Sequence, residues 1–476
     1  MGRSILKRLA VLLLAFAPVI AADEPPTFPV RMVKLGGSFE RADVRAHLEF
    51  CAERGFNAVW VYSGLAGRWK ERSAPDGPFL HPSFLDLARW CHDHDWRIFV
   101  SVNPVADSGG RFVFSNPEGA RRIRKFLGLL RRQAGVRDFV LSFDDQPTEL
   151  LELSDVLAYG RSSAPAHLDL ARKVARAVPR KGSYWLCAAA YCDRHLGDGS
   201  GPYTSAFLEG LDALPSRTGI VWTGPRVLSP SITADDLEAT RRRLGGRELL
   251  LYDNYPSMWN PDGSSLAMIL GPLRGRDARL QDQTSVYLSC PMRSLGGSRL
   301  ALATIADYLA TPDTYDPDSA WKAIKETLTA GDPQALRALD TQGLEWGGWI
   351  GTRNYRFEDT VYTAVEALDD PAAMVRWSYV VQRYPERIEA LAGVSDPLFR
   401  EPLIERMKAR LAVGRAMELV AELRSAPPER QEAILGRLAA LRAETRGRTE
   451  ASRSLDLFLE AVGVSFPEPA PDAVAP

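Results

Sequence analysis

Two adjacent carboxylates, Asp144 and Asp145, end a short apolar run, Phe139-Val140-Leu141-Ser142-Phe143. The run is continuous rather than alternating and rich in β-formers, so it reads as a strand buried on both faces. Two acids at the carboxyl end of such a strand cannot both ionise freely. Repulsion raises one proton affinity and leaves an acid beside a base. Where strands and helices alternate around a barrel, that end of the strand carries catalysis. A helix N-cap with a surface ion pair is the other reading of the same two residues.

The elements that must position the pair follow a strand–helix rhythm. Strands are predicted over 30–35, 58–62, 97–102, 139–143, 184–189, 219–222, 248–252 and 285–288, with helical sequence after each. Eight such units with right-handed crossovers predict a (β/α)8 barrel over residues 28–315. An open doubly wound sheet competes, but Gly36-Gly37 alone is too little for a phosphate-binding turn. From Pro317 the helical period dominates, with segments at 320–329, 357–367, 371–383, 400–424 and 431–446. The expectation is an α-helical bundle over 316–465, then a disordered tail over 466–476.

The chain opens with Arg3, Lys7 and Arg8, an apolar stretch from Leu9 to Ala17, and small residues through Ala22. Residues 1–22 read as a signal peptide, which predicts an exported protein, periplasmic or secreted, with no stable membrane span after cleavage. The 59 basic and 60 acidic residues nearly balance, so no nucleic-acid partner is expected. Five scattered cysteines, Cys51, Cys91, Cys187, Cys192 and Cys290, form no disulfide framework; one pair at most is expected to bridge after export. His92 and His94 are the only near-neighbour histidines, in a polar helix end, and no metal site is expected.

Beyond the Asp pair, several segments stand in a telling order: VWTGPRVLSPSITADDLE (221–238), LLYDNYPSMW (250–259), LGPLRGRDARL (270–280), YLSCPM (287–292) and ALATIADYLATPDTYDPDSAW (301–321). Together with the Phe143-Asp144-Asp145 triplet they resemble glycoside hydrolase family 84, the β-N-acetylglucosaminidases that include O-GlcNAc hydrolases and hyaluronidase-like proteins. The resemblance implies a carbohydrate substrate and retaining hydrolysis in which the 2-acetamido oxygen is the nucleophile. It implies no cofactor. Asp144 would orient the acetamido N–H, and Asp145 would protonate the leaving oxygen and then activate water. Tyr191, Thr223, Val227, Tyr252 and Asn254 would bind substrate; a buried core tyrosine and a turn asparagine are the bland readings of Tyr191 and Asn254. Trp222 completes an apolar strand and is expected in the core.

The departures from the family pattern bear on specificity. The family's first-strand signature is replaced by Lys34-Leu35-Gly36-Gly37, and its lysine-bearing motif by Tyr62-Ser63-Gly64. An Asp that grips outer sugar hydroxyls falls on Trp259, and an Asn of the last strand on Cys290. Asp253 or Asp262 is a candidate substitute carboxylate. A site that loses its hydroxyl partners changes preference by orders of magnitude. Two functions therefore compete: an exported hexosaminidase with an altered outer pocket, and a catalytically drifted glycan-binding relative.

Overall fold

The structure, a computed structural model, describes residues 28–466 apart from 71–72, 110, 258–269, 293, 346–363, 366 and 447–449. The expected signal peptide and nearly all of the expected tail lie outside the described residues, as do Trp259, Asp262 and most of the helix expected at 357–367.

Ten strands occur among the described residues: β1 Val30–Lys34, β2 Ala58–Tyr62, β3 Gly67–Arg68, β4 Phe79–Leu80, β5 Arg97–Val102, β6 Asp138–Ser142, β7 Tyr184–Cys187, β8 Thr218–Trp222, β9 Leu249–Pro256 and β10 Val286–Cys290. Eight close a barrel in the order β1-β10-β9-β8-β7-β6-β5-β2, while β3 and β4 form a separate small hairpin. Neighbouring barrel strands pair in parallel, as with Val140 beside Trp185 and Trp60 beside Phe99. This is the (β/α)8 architecture read from the sequence, and β9 runs four residues beyond its expected end.

The barrel holds together because alternate side chains point inward. Val30, Met32, Trp60, Phe99, Val140, Trp185, Val221, Leu250, Val286 and Leu288 form one buried cluster. Each large apolar side chain so buried contributes about 1.5–3 kcal/mol. Gly219 makes room for the widest of them: a Cβ there would lie 2.2 Å from the Trp185 ring. The crossover helices cover the outer faces; one, Pro117–Ala134, starts with an Asn116 cap and Pro117 and stops at left-handed Gly135.

The chain divides into two compact units. The first comprises Met1–Asn254, Gly275–Pro291 and Ile305–Tyr315; the second comprises Tyr255–Arg274, Met292–Thr304 and Asp316–Pro476. The second unit is helical, and its helices begin with a repeated device. Asp316, Asp332, Asp370 and Asp396 each accept a backbone N–H of the first turn and are each followed by proline. The fixed φ of proline and the carboxylate's attraction for free N–H groups both favour a helix start. The longest, Pro397–Ser425, packs against Pro371–Ala390, Pro428–Glu444 and Glu450–Ala461. Helices at Pro333–Glu345 and Glu450–Ala461 were not expected from the periodicity.

Candidate active site

Asp144 and Asp145 leave the carboxyl end of β6 in different directions. Phe143 turns outward and stacks on the buried His167 ring, with centroids 3.8 Å apart. Asp144 turns back to the inward row, where it accepts from the Ser142 hydroxyl and, at 3.4 Å, from Asn103 Nδ2. Asp145 is exposed and has φ +56°. Left-handed backbone is uncommon for a residue other than glycine and concentrates at functional sites.

The proton affinity of Asp144 has a different chief cause from the repulsion argued from the sequence. Asp144 is the raised member, and burial is the largest cause, with the charge of Asp145 a smaller one; Ser142 and Lys34 pull the other way. Desolvation at the barrel mouth outweighs repulsion between the two acids. Asp145, at the rim, receives the Tyr191 hydroxyl on Oδ1 at 2.6 Å. Tyr191 is held well above the usual phenol range by burial first and by Asp145 second, so it stays a donor. His195 packs edge-on against the Tyr191 ring at 4.8 Å, and burial lowers its proton affinity although Asp145 opposes this.

The segments after β7 and β8 and the end of β9 are tied to one another. The Thr223 amide donates to the Tyr191 carbonyl at 3.0 Å, and its hydroxyl donates to the Arg226 carbonyl at 3.1 Å. Asn254 Nδ2 donates to the Val227 carbonyl at 2.7 Å, and Val227 packs against the barrel core. Thr223 is thus buried and occupied with its own turn, while Asn254 ties the end of β9 to the loop after β8. Tyr252 is buried, edge-on to Trp60 at 5.5 Å, and its hydroxyl donates to Cys290 Sγ at 3.6 Å. Trp222 is core: it is buried on the outward face of β8 with Nε1 donating to Asp193 at 3.0 Å.

Asn103 and Ser142 have no role in the reading from sequence, and Lys34 enters it only as a changed outer-pocket position. Asn103 and Ser142 donate to Asp144 because β5 and β6 end at the same rim, and the charge of Lys34 on β1 is a minor influence on it. Inward alternation, carried one step past each strand end, is the signal that points to them. Asp253 is not a substitute for the missing sugar-gripping acid. It lies on the outward row of β9, bound by Arg276 through Nε and Nη2, each at 2.8 Å, and by the Tyr287 hydroxyl. Both members of that ion pair are almost fully buried. All five cysteines are buried and free, so the one bridge allowed for is not made. No group of three potential metal ligands occurs among the described residues.

A family model described as beta-N-acetylglucosaminidase matches residues 69–341, more than half of the chain. Protein O-GlcNAcase of Rattus norvegicus and that of Mus musculus are each 23% identical to it over 242 residues. Those alignments take in 50% of this chain and 25% of each relative, so the chain matches about a quarter of their length. A solved structure of a mutant of Thermobaculum terrenum O-GlcNAc hydrolase has the same fold, with a TM-score of 0.63 at 20% identity over 92% of this chain and 94% of that one. With the acid pair at the end of β6 and a match over more than half of its length, the chain belongs to the β-N-acetylglucosaminidase family.

Proposed function

We propose that the protein is an exported retaining glycoside hydrolase that removes β-linked N-acetylhexosamine by substrate-assisted catalysis. The observation that carries this reading is the pair itself: an inward Asp144 with donors on its own side, beside an exposed Asp145 bonded to Tyr191. Two acids in such unlike surroundings suit two unlike tasks.

In the reaction, the acetamido N–H donates to ionised Asp144, which offsets the burial that otherwise favours its protonation. The acetamido oxygen then attacks the anomeric carbon, the glycosidic bond breaks, and Asp145 gives its proton to the leaving oxygen. The product of this step is an oxazoline, its N–H proton having passed to Asp144, which returns it to nitrogen when the ring opens. Asp145, now anionic and supported by Tyr191, takes a proton from water as that water's oxygen bonds to the anomeric carbon. The oxazoline opens, and the acetamide is restored with the anomeric configuration retained.

The names of the relatives support an O-linked N-acetylglucosamine substrate, whereas the changed positions at Lys34, Tyr62 and Cys290 support a different grip on the outer hydroxyls. The charged start and apolar run of residues 1–22 support export. The test is release of aryl aglycone from β-N-acetylglucosaminide and β-N-acetylgalactosaminide, with Asp144→Asn alongside. Turnover lost in the variant supports the reading. Turnover unchanged in the variant, or no turnover and no binding of either sugar, overturns it. Binding of the glycan without turnover supports the drifted glycan-binding alternative, which the same altered grip favours.

A further inference from the structure

Asn103 follows the last residue of β5, and the β5–β6 register, with Val102 beside Leu141, brings it alongside Ser142. It is buried, at 7% exposure, and both ends of its amide are in use. Oδ1 accepts the Ala106 N–H at 3.0 Å, capping the short helix Pro104–Asp107, and Nδ2 donates to Asp144 Oδ1 at 3.4 Å. The cap fixes which way the amide faces. A backbone N–H needs an acceptor, so the oxygen lies toward Ala106 and the nitrogen is left toward the carboxyl.

Capping alone requires neither this residue nor its burial. Asp316, Asp370 and Asp396 cap helices before proline with a carboxylate, and Asn116 caps before Pro117 while exposed. Asp and Asn cap about equally well. At position 103, however, an Asp would set another like charge against Asp144, whereas the amide accepts from the helix and donates to the carboxyl at once.

The Ser142 hydroxyl donates to the same Oδ1. Among the described residues none donates to Oδ2. Two donors from two strand ends therefore hold one oxygen of Asp144, which fixes the rotation of the carboxyl and leaves the other oxygen for a ligand.

We propose that Asn103 is a positioning residue that acts through Asp144: together with Ser142 it holds Oδ1, so that Oδ2 is the atom that receives the acetamido N–H of the sugar. The ligand in that statement rests on the hydrolase reading above; the clamp on Oδ1 does not.

The test compares full-length wild type with Asn103→Ser and Asn103→Asp. Both variants keep an acceptor for the Ala106 N–H, but serine is too short to reach Asp144 and an ionised aspartate has no proton to give it. On an aryl N-acetylglucosaminide, kcat should fall roughly tenfold in Asn103→Ser and roughly 100-fold in Asn103→Asp. KM should stay near wild type, because the N–H grows more acidic as the acetamido oxygen attacks and relies on Oδ2 most in the transition state. Placed on Asp144→Asn, Asn103→Ser should cost about twofold at most, since the carboxylate it serves is gone. Unchanged kcat in Asn103→Ser, a loss confined to KM, or an equal loss on both backgrounds overturns the proposal. Crystal structures of wild type and Asn103→Ser give a readout independent of turnover: the Asp144 carboxyl should be rotated in the variant, and an unrotated one overturns the clamp. If wild type hydrolyses nothing, the hydrolase reading fails and the crystal structures alone decide the clamp.

Discussion

The Tyr191 hydroxyl donates a 2.6 Å hydrogen bond to Oδ1 of Asp145, joining the segment after β7 to the left-handed turn after β6. Tyr191, held protonated by burial and by Asp145, keeps its hydroxyl available as a donor to Asp145 when water attacks. Bonds to a charged group contribute about 1.5–3 kcal/mol. Tyr191→Phe is therefore expected to lower kcat by roughly 10–100-fold with little change in KM, since the phenol supports Asp145 rather than the sugar. Steady-state kinetics on one aryl glycoside checks this, and a loss confined to KM would point to sugar contact instead.

Asp145→Asn removes the proton donor but leaves Asp144 and the acetamido nucleophile in place. Aglycones that leave easily need little acid assistance, so the loss should grow as the leaving group worsens, reaching roughly 100–10,000-fold for poor ones. A series of aryl glycosides of graded acidity measures the slope. An equal loss across the series would remove Asp145 from the acid role.

The Asp253–Arg276 pair lies away from the barrel mouth and supports the fold. Burial opposes the charge on Arg276, but Asp253 more than compensates and holds it above its ordinary range. Arg276→Met should cost about 3–5 kcal/mol, because it leaves a buried carboxylate without its cation. Urea denaturation would show it, and adding Asp253→Asn should recover part of the loss.

His167, beneath Phe143, sets an acid limit on stability. Burial pushes it down from its usual 6.5 to about 3, so the folded protein keeps it neutral. Between those values the unfolded chain binds the extra proton, and stability contributed above about pH 6.5 is lost as pH falls. From pH 7.5 to 5 wild type should lose about 2 kcal/mol more than His167→Leu. Urea midpoints at the two pH values measure the difference, and equal losses would mean that another group carries the acid sensitivity.

If residues 1–22 direct export, the mature protein recovered from outside the cytoplasm should begin close to residue 23. Intact mass determination reads this directly. Recovery of the full-length chain from the cytoplasm would reject it.

Much of the site was written in local sequence. An apolar run too short for a helix and too continuous for a half-exposed strand marked β6, and the acids at its end marked the mouth. The alternation of such runs with helical segments determined the barrel, because parallel strands need crossovers and closure buries every edge. Asp-Pro pairs at 316, 332, 370 and 396 likewise announce helix starts, since capping is a contact between near neighbours.

Tertiary structure decided what depends on residues far apart in the chain. The raised proton affinity of Asp144 is set by burial from the surrounding strands, and no spacing along 144–145 contains that. Asp253 was a plausible sugar ligand until Arg276, 23 residues on, claimed it on the outward row. Lys34 and Asp144 are 110 positions apart, yet they share one rim because β1 and β6 belong to one closed barrel. The sequence by itself determined the strands and their end groups, because those follow from period and polarity along the chain. Charge state and partnership belong to the closed barrel, because desolvation and Coulomb forces act through space.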